Sequence, residues 1–228
     1  MKLTLLLILI NVAFFLYASY HGNIKDYAFT PTSLAEGKYL NIITAMFMHA
    51  NVLHIVFNMI VLFFVGRVLE NYISTPMYLL VYFSSGIIAN LGVMLLPFLG
   101  VSTFVVGASA AISGLIGYGA FKLSGKWVIS PIRFIPVPMP FIVAGSLYAY
   151  INLANALAGT LSFSVPWFPT VMGLSISALG HLIGGMVGCL IALKNEEHKI
   201  GKLVFFFFLI AFISFIPYLI SYIVRLWI

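Results

Sequence analysis

The sequence predicts an all-α fold: a polytopic bundle of membrane-spanning helices forming a single domain over residues 1–228. Three observations carry that reading. Hydrophobic residues make up 63% of the chain and charged residues 7%, against about 25% charged in soluble domains. Nearly all the charge sits in five short stretches, and the apolar runs between them approach the roughly 20 residues that cross a bilayer. The basic residues are also unevenly placed. Lys2, Arg67, Lys122, Lys126, Arg133, Lys194, Lys199 and Lys202 fall on one side of the expected topology, and only Lys25, Lys38 and Arg225 on the other, eight against three. The positive-inside rule then puts the amino terminus in the cytoplasm.

Taken in order, the apolar runs predict helices over about 3–20, 50–70, 76–97, 109–121, 139–158, 171–193 and 203–224. The first resembles the apolar region of a signal peptide, but it is long and no small-residue cleavage site follows, so it reads as a retained helix. The loop 21–48 faces outward and carries Tyr27, Phe29, Pro31 and Tyr39, enough apolar surface to lie in the interface. The outer loops 98–108 and 159–170 hold no charge, and the second carries Phe163, Trp167 and Phe168, a composition suited to capping a cavity. Phe205 to Phe208 read as a lipid-facing stripe. Cys189 is the single cysteine, so no intrachain disulfide forms, and on a helix without a partner it reads as inert. The net charge of +6 reflects orientation, since no basic cluster with interleaved aromatics points to nucleic acid.

Polar side chains interrupt these runs at one depth. Ser109 lies 13 positions before Lys122, His181 13 before Lys194 and His54 13 before Arg67. At about 1.5 Å per residue each stands roughly 20 Å from the cytoplasmic boundary, well below the outer one. The helix that starts at Ser109 is too short to reach the outer surface. The preceding chain must descend to meet it, which membranes allow only where backbone is buried in protein or lines a wet cavity. Ser109 is thus expected at the floor of a pocket open to the outside.

A serine beside a histidine permits nucleophilic attack with His181 as base. All five acids, Asp26, Glu36, Glu70, Glu196 and Glu197, fall in loops or at helix ends, so such chemistry would run on a Ser/His dyad. His54 and Asn58, at i and i+4, share one helix face and could meet an oxyanion, with the backbone N–H of Ser109 at a helix start as a further donor. Gly180, Gly184 and Gly188 form small-xxx-small steps on the sixth helix, Gly107, Gly114 and Gly117 border or line the fourth, and such small residues would let two helices approach closely. Singly, each signal has a plainer reading: Ser109 as a packing serine, Asn58 and His181 as interhelical hydrogen-bond residues, His49 as structural. Their conjunction is what points to a site.

At these residues the chain resembles the rhomboid family of intramembrane serine proteases. The match runs through Thr44-x2-Phe47-x-His49-Ala50-x3-His54-x3-Asn58, Gly66-Arg67-x2-Glu70, Gly107-Ala108-Ser109 and Gly180-His181-x2-Gly184-x3-Gly188, covering roughly residues 40 to 192. The resemblance implies a six-helix core over about 1–195 with an appended C-terminal helix over about 203–224. It implies Ser109 as nucleophile, His181 as general base and then acid, and His54, Asn58 and Ser109 as oxyanion stabilisers. His49, Gly107 and Gly184 would support them. The implied substrates are single-pass transmembrane proteins met within membrane lipid and cut near the outer end of their helix, with no metal or organic cofactor. A prokaryotic plasma membrane suits the compact termini, an organelle membrane being the alternative.

Three departures stand against the family pattern. Ala110 follows the serine where glycine is usual, and Ser113 occupies the place where an aromatic often packs against the base, which would leave His181 loosely held. The Trp-Arg pair common in the family's first loop is absent. They leave open a second reading, a rhomboid-like pseudoprotease that binds transmembrane helices. A transporter is disfavoured by the lack of carboxylates within the spans, a zinc protease by the lack of His-Glu-x-x-His, and an aspartyl protease by the single aspartate, Asp26.

Overall fold

The computed structural model describes residues 2–21, 24–93, 104–132, 135–161, 174–194 and 196–227. Its long helices are α1 (Lys2–His21), α5 (Val52–Glu70), α6 (Thr75–Val93), α7 (Ser109–Lys122), α8 (Phe141–Leu161), α9 (Leu174–Leu193) and α10 (Lys199–Trp227). Their bounds stand within a few residues of the expected runs. By length and composition, α1 and α5 are apolar enough to cross a membrane. Most of the expected outer loops 98–108 and 159–170 lie outside the described residues.

Two loops hold structure that apolar run length does not signal. Within 21–48 the chain forms short helices α2 (Ile24–Tyr27), α3 (Pro31–Ala35) and α4 (Asn41–Thr44), then a 3-10 turn over Ala45–Phe47. Thr30 caps α3 through a reciprocal bond with Ser33, with Pro31 pre-set for the first helical turn. Asn41 ties the loop together by donating to the carbonyls of Asp26 and Ala28, and Asn90 of α6 reaches in to the Ile42 carbonyl. The fifth long helix, expected from about 139, starts at Phe141. Residues Trp127–Ile132 (β1) and Ile135–Pro140 (β2) pair as an antiparallel hairpin, in which Pro140 stands opposite Trp127.

The core is organised about α7, whose residues Ala110 to Phe121 are all buried. It can be so enclosed because its neighbours meet it on small residues. A Cβ on Gly184 would collide with the Ala110 carbonyl, and one on Gly188 with the Gly114 carbonyl. A Cβ on Gly117 would strike the Gly185 carbonyl. Gly114 also accommodates Ser85 of α6, and Gly119 takes the ring of Phe141 from α8. Without a hydrophobic force between helices in lipid, such close backbone approach supplies the van der Waals contact that holds them.

The periphery is fastened by charge at the ends. Glu70, closing α5, accepts from the backbone N–H groups of Leu3 and Thr4 at 2.9 and 3.1 Å and from the Thr4 hydroxyl at 2.8 Å. A carboxylate there satisfies donors that the start of α1 leaves free and meets its dipole. Lys202 of α10 pairs with Glu196 at 2.8 Å and donates to the Phe121 carbonyl at 2.9 Å, at the end of α7. The expected stripe at 205–208 is revised: Phe205, Phe207 and Phe208 are exposed, but Phe206 turns inward, its ring centroid 5.0 Å from that of Phe121. Exposed Leu5, Leu9, Leu16, Met186, Leu190 and Phe212 continue the apolar exterior, a surface suited to lipid.

Two predictions follow from this packing. Gly117→Ala is expected to lower stability in detergent by about 1–3 kcal/mol because it overpacks the α7–α9 contact. Gly201→Ala, where nothing lies within 4 Å, should leave it unchanged or slightly raised, and equal effects on thermal unfolding would contradict the packing described. The hydrogen bond from Lys202, aided by the charges of Lys202 and Lys122, holds the Glu196 carboxyl below its ordinary pKa. Its contribution is therefore present above the unfolded carboxylate value and lost as pH falls through the folded one. Thermal denaturation should show Glu196→Gln less stable than the unsubstituted protein near neutrality, with the difference vanishing in acid.

Candidate functional site

The first turn of α5 is set by Asn51, which adopts an extended backbone as N-cap and accepts from the His54 N–H at 2.8 Å. That fixes the rotation of the helix and places His54 and Asn58 on one face, one turn apart. His54 is half-buried and Asn58 buried. The backbone N–H of Ala50 donates to His54 Nδ1 in a long bond of 3.4 Å. A ring nitrogen that accepts carries no hydrogen, so Nε2 bears the proton and is a donor. The Asn58 amide Nδ2 is buried, with no hydrogen bond among the described residues.

The chain approaching α7 is sewn to the first loop. Phe29 and Val105 exchange backbone bonds at 3.1 and 3.0 Å, and the Gly107 N–H donates to the Ala45 carbonyl at 2.8 Å. Backbone that is irregular here is thereby satisfied by protein, as membrane depth requires. Gly107 holds φ +119°, open to glycine, and a Cβ there would lie 2.9 Å from Cε1 and Nε2 of His54 and 3.6 Å from Asn58 Nδ2. The two side chains are thus packed against the residue that leads into Ala108 and Ser109. Ser109, half-buried, is the first residue of α7, where backbone N–H groups lack intrahelical acceptors.

His181 comes to the same place through α9. Gly184 meets Ala110 and Gly188 meets Gly114, so both helices advance four residues between contacts and run parallel. His181, one turn before Gly184, therefore stands beside the helix start that carries Ser109. It is also near enough to His54 for a charge on one imidazole to act on the other. Its Nδ1 lies 2.8 Å from Asn152 Oδ1, and its Nε2 is buried with no hydrogen bond among the described residues. Ser109 Oγ and His181 Nε2 are accordingly not bonded to each other here.

The expectation that Ser113 leaves His181 loosely held is corrected. Ser113 Oγ donates to the Ser109 carbonyl at 2.7 Å and pairs with the Tyr148 hydroxyl at 2.8 Å. The Tyr148 ring lies beside His181, centroids 6.0 Å apart. The aromatic neighbour comes from α8 instead of α7. Asn152 and Tyr148 had no signal in the sequence, being polar residues without a motif inside an apolar run. His49 is buried, its ring edge-on to His54 at 5.1 Å, with Nδ1 3.3 Å from the Phe47 carbonyl and Nε2 unbonded. Cys189 contacts the Gly117 carbonyl at 3.6 Å on the inner part of α9. No cluster of three or more His, Cys, Asp or Glu forms among the described residues.

Gly107→Ala tests this geometry. The positive φ and the displaced imidazole should lower stability by about 1–3 kcal/mol and shift the His54 ring resonances. Unmoved resonances would mean that Gly107 does not abut His54.

A family profile described as the Rhomboid domain matches residues 36–198. The chain is 25% identical over 202 residues to rhomboid protease GlpG of Photorhabdus laumondii, covering 86% of this chain and 62% of that protein. It is 37% identical over 86 residues to rhomboid-like protease 3 of Toxoplasma gondii, covering 38% of this chain and 32% of the relative. Rhomboid-like protease 2 of the same organism is 32% identical over 97 residues, 42% of this chain and 34% of the relative. The chain spans between about a third and just under two thirds of these relatives' lengths. It belongs to the rhomboid family, whose proteins are integral membrane proteins.

Proposed function

We propose that the chain is an intramembrane serine endopeptidase that hydrolyses peptide bonds in or near the transmembrane helices of single-pass membrane proteins. The observation that carries the reading is the convergence of Ser109 at the start of α7, His181 on the parallel α9 with an unbonded buried Nε2, and two amide and imidazole donors on α5 packed against Gly107.

In this reading His181 Nε2 takes the Ser109 hydroxyl proton as Oγ attacks the scissile carbonyl. The developing oxyanion is met by His54 Nε2–H, Asn58 Nδ2–H and the Ser109 backbone N–H at the positive end of α7. As the tetrahedral species collapses, His181 returns the proton to the leaving amine and Ser109 keeps the acyl group. Water then adds with His181 again as base and releases the carboxylate product. No carboxylate assists. The Ser109–His181 bond is left to form on substrate binding, as catalytic hydrogen bonds in free enzymes are often long. His49 supports His54 from behind.

The same reading takes the helices up to α9 as a six-helix core and α10 as an appended span. It places the amino terminus in the cytoplasm of a prokaryote and opens the site to the outer side. It needs no cofactor.

Fluorophosphonate labelling in detergent tests it. The unsubstituted protein should label, and Ser109→Ala and His181→Ala should not. Asn58→Ala should cut the cleavage rate of a transmembrane substrate by about 10²–10³-fold if its amide meets the oxyanion. A folded protein that neither labels nor cleaves would overturn the proposal and favour a helix-binding relative without activity.

A further inference from the structure

The hydrogen bond between α8 and α9 reaches beyond a two-residue mechanism. Asn152 is buried, and its amide orientation is set by the structure itself: Nδ2 donates to the Tyr148 carbonyl one turn earlier at 2.9 Å. The amide nitrogen being so engaged, the atom 2.8 Å from His181 Nδ1 is the oxygen Oδ1, which can only accept. Nδ1 must then carry the hydrogen. In the neutral imidazole this leaves the lone pair on Nε2, the atom that is buried and unbonded.

We propose that Asn152 is a positioning residue for the His181 base, holding its ring and its tautomer so that the Nε2 lone pair is free to take the Ser109 proton. The inference rests on the reading of His181 as base. It fills the place that a carboxylate would take in a three-residue arrangement, with a neutral amide. A carboxylate at this depth would carry a heavy desolvation cost, whereas an amide supplies the same acceptor without a charge. When His181 gains a proton, Oδ1 remains an acceptor for Nδ1–H and its dipole favours the imidazolium, though less than a full negative charge would.

The surroundings protect this bond. A cavity of about 80 Å³ between α7, α8, α9 and α10 borders Asn152, Tyr148 and His181, and its remaining walls include Ile116, Ala149, Leu182 and Phe206. Tyr148 is itself held through Ser113, whose hydroxyl reaches the Ser109 carbonyl, so nucleophile helix and base are joined by a chain of polar contacts through α8. Among the described residues, the titratable groups near His181 are Tyr148 from α8 and His54 from α5, and Ser113 of α7 lines the same cavity. No carboxylate or ammonium acts on it among the described residues.

The deciding measurement is the nitrogen-15 spectrum of histidine-labelled full-length protein in detergent, assigned with His181→Gln. Neutral His181 should show hydrogen on Nδ1, and Asn152→Leu should move it to Nε2. Hydrogen on Nε2 in the unsubstituted protein would overturn the proposal whether or not the protein cleaves anything. Kinetics supply the second arm. Asn152→Leu should lower kcat by roughly 10–100-fold with KM little changed, and move the acid limb of the pH profile to lower pH. Asn152→Asp, which keeps the acceptor and adds charge, should move that limb higher. An unchanged limb in both variants would reduce Asn152 to a packing residue. Inactivity of the unsubstituted protein together with an Asn152-dependent Nδ1–H would instead refute the protease reading and leave the positioning intact.

Discussion

Everything at this site depends on two backbones touching. The contact of α9 with α7, glycine against carbonyl at Gly184 and Ala110, Gly188 and Gly114, Gly117 and Gly185, leaves no room for a side chain on either helix. Its register is what carries His181 to the end of α7 that begins with Ser109. A methyl group at Gly117, Gly184 or Gly188 would push the helices apart, and the base would leave with α9. In a lipid environment, where apolar side chains gain nothing by leaving solvent, this close approach is also the main source of helix association.

Around that seam the protein gathers hydrogen-bonding groups without gathering charge. Asn51 rotates α5, Gly107 lets chain lie against His54 and Asn58, and Ser113, Tyr148 and Asn152 join α7, α8 and α9. Most of their polar atoms are paired, as burial demands. Among the described residues several buried polar atoms have no partner, and two of them, Asn58 Nδ2 and His181 Nε2, lie on either side of the start of α7. Unpaired groups are costly at this depth, and their placement accords with partners supplied by a substrate. Carboxylates and ammonium groups are kept to helix ends, where Glu70 and Glu196 fasten α1 and α10.

Much of this was legible in the amino-acid sequence, for identifiable reasons. Apolar runs of bilayer length between charged stretches gave the long helices, and counting back 13 residues from Lys122, Lys194 and Arg67 gave three polar residues one level. The glycines of α9 signalled close packing, and Ser109, His181, His54 and Asn58 stood out because polar groups are rare at such depth. The hairpin was illegible because Pro131, Pro136, Pro138 and Pro140 read as breakers, and only its pairing with the neighbouring strand satisfies the backbone. Asn152 escaped notice because an asparagine inside an apolar run carries no motif of its own, and its partner lies 29 residues away on another helix. Ser113 misled for the same reason: the aromatic it lacks is supplied by Tyr148.

The central claim is that Ser109 and His181 act on one carbonyl whose oxygen faces His54 and Asn58. A structure of the protein with a peptidyl boronate tests it most directly, since the tetrahedral boronate imitates the attacked carbonyl. The account predicts boron bonded to Ser109 Oγ, with one boronate oxygen about 2.7–3.1 Å from His54 Nε2 and Asn58 Nδ2 and His181 Nε2 drawn to the serine side. A boronate bound elsewhere, or one whose oxygen turns away from both donors, would contradict it.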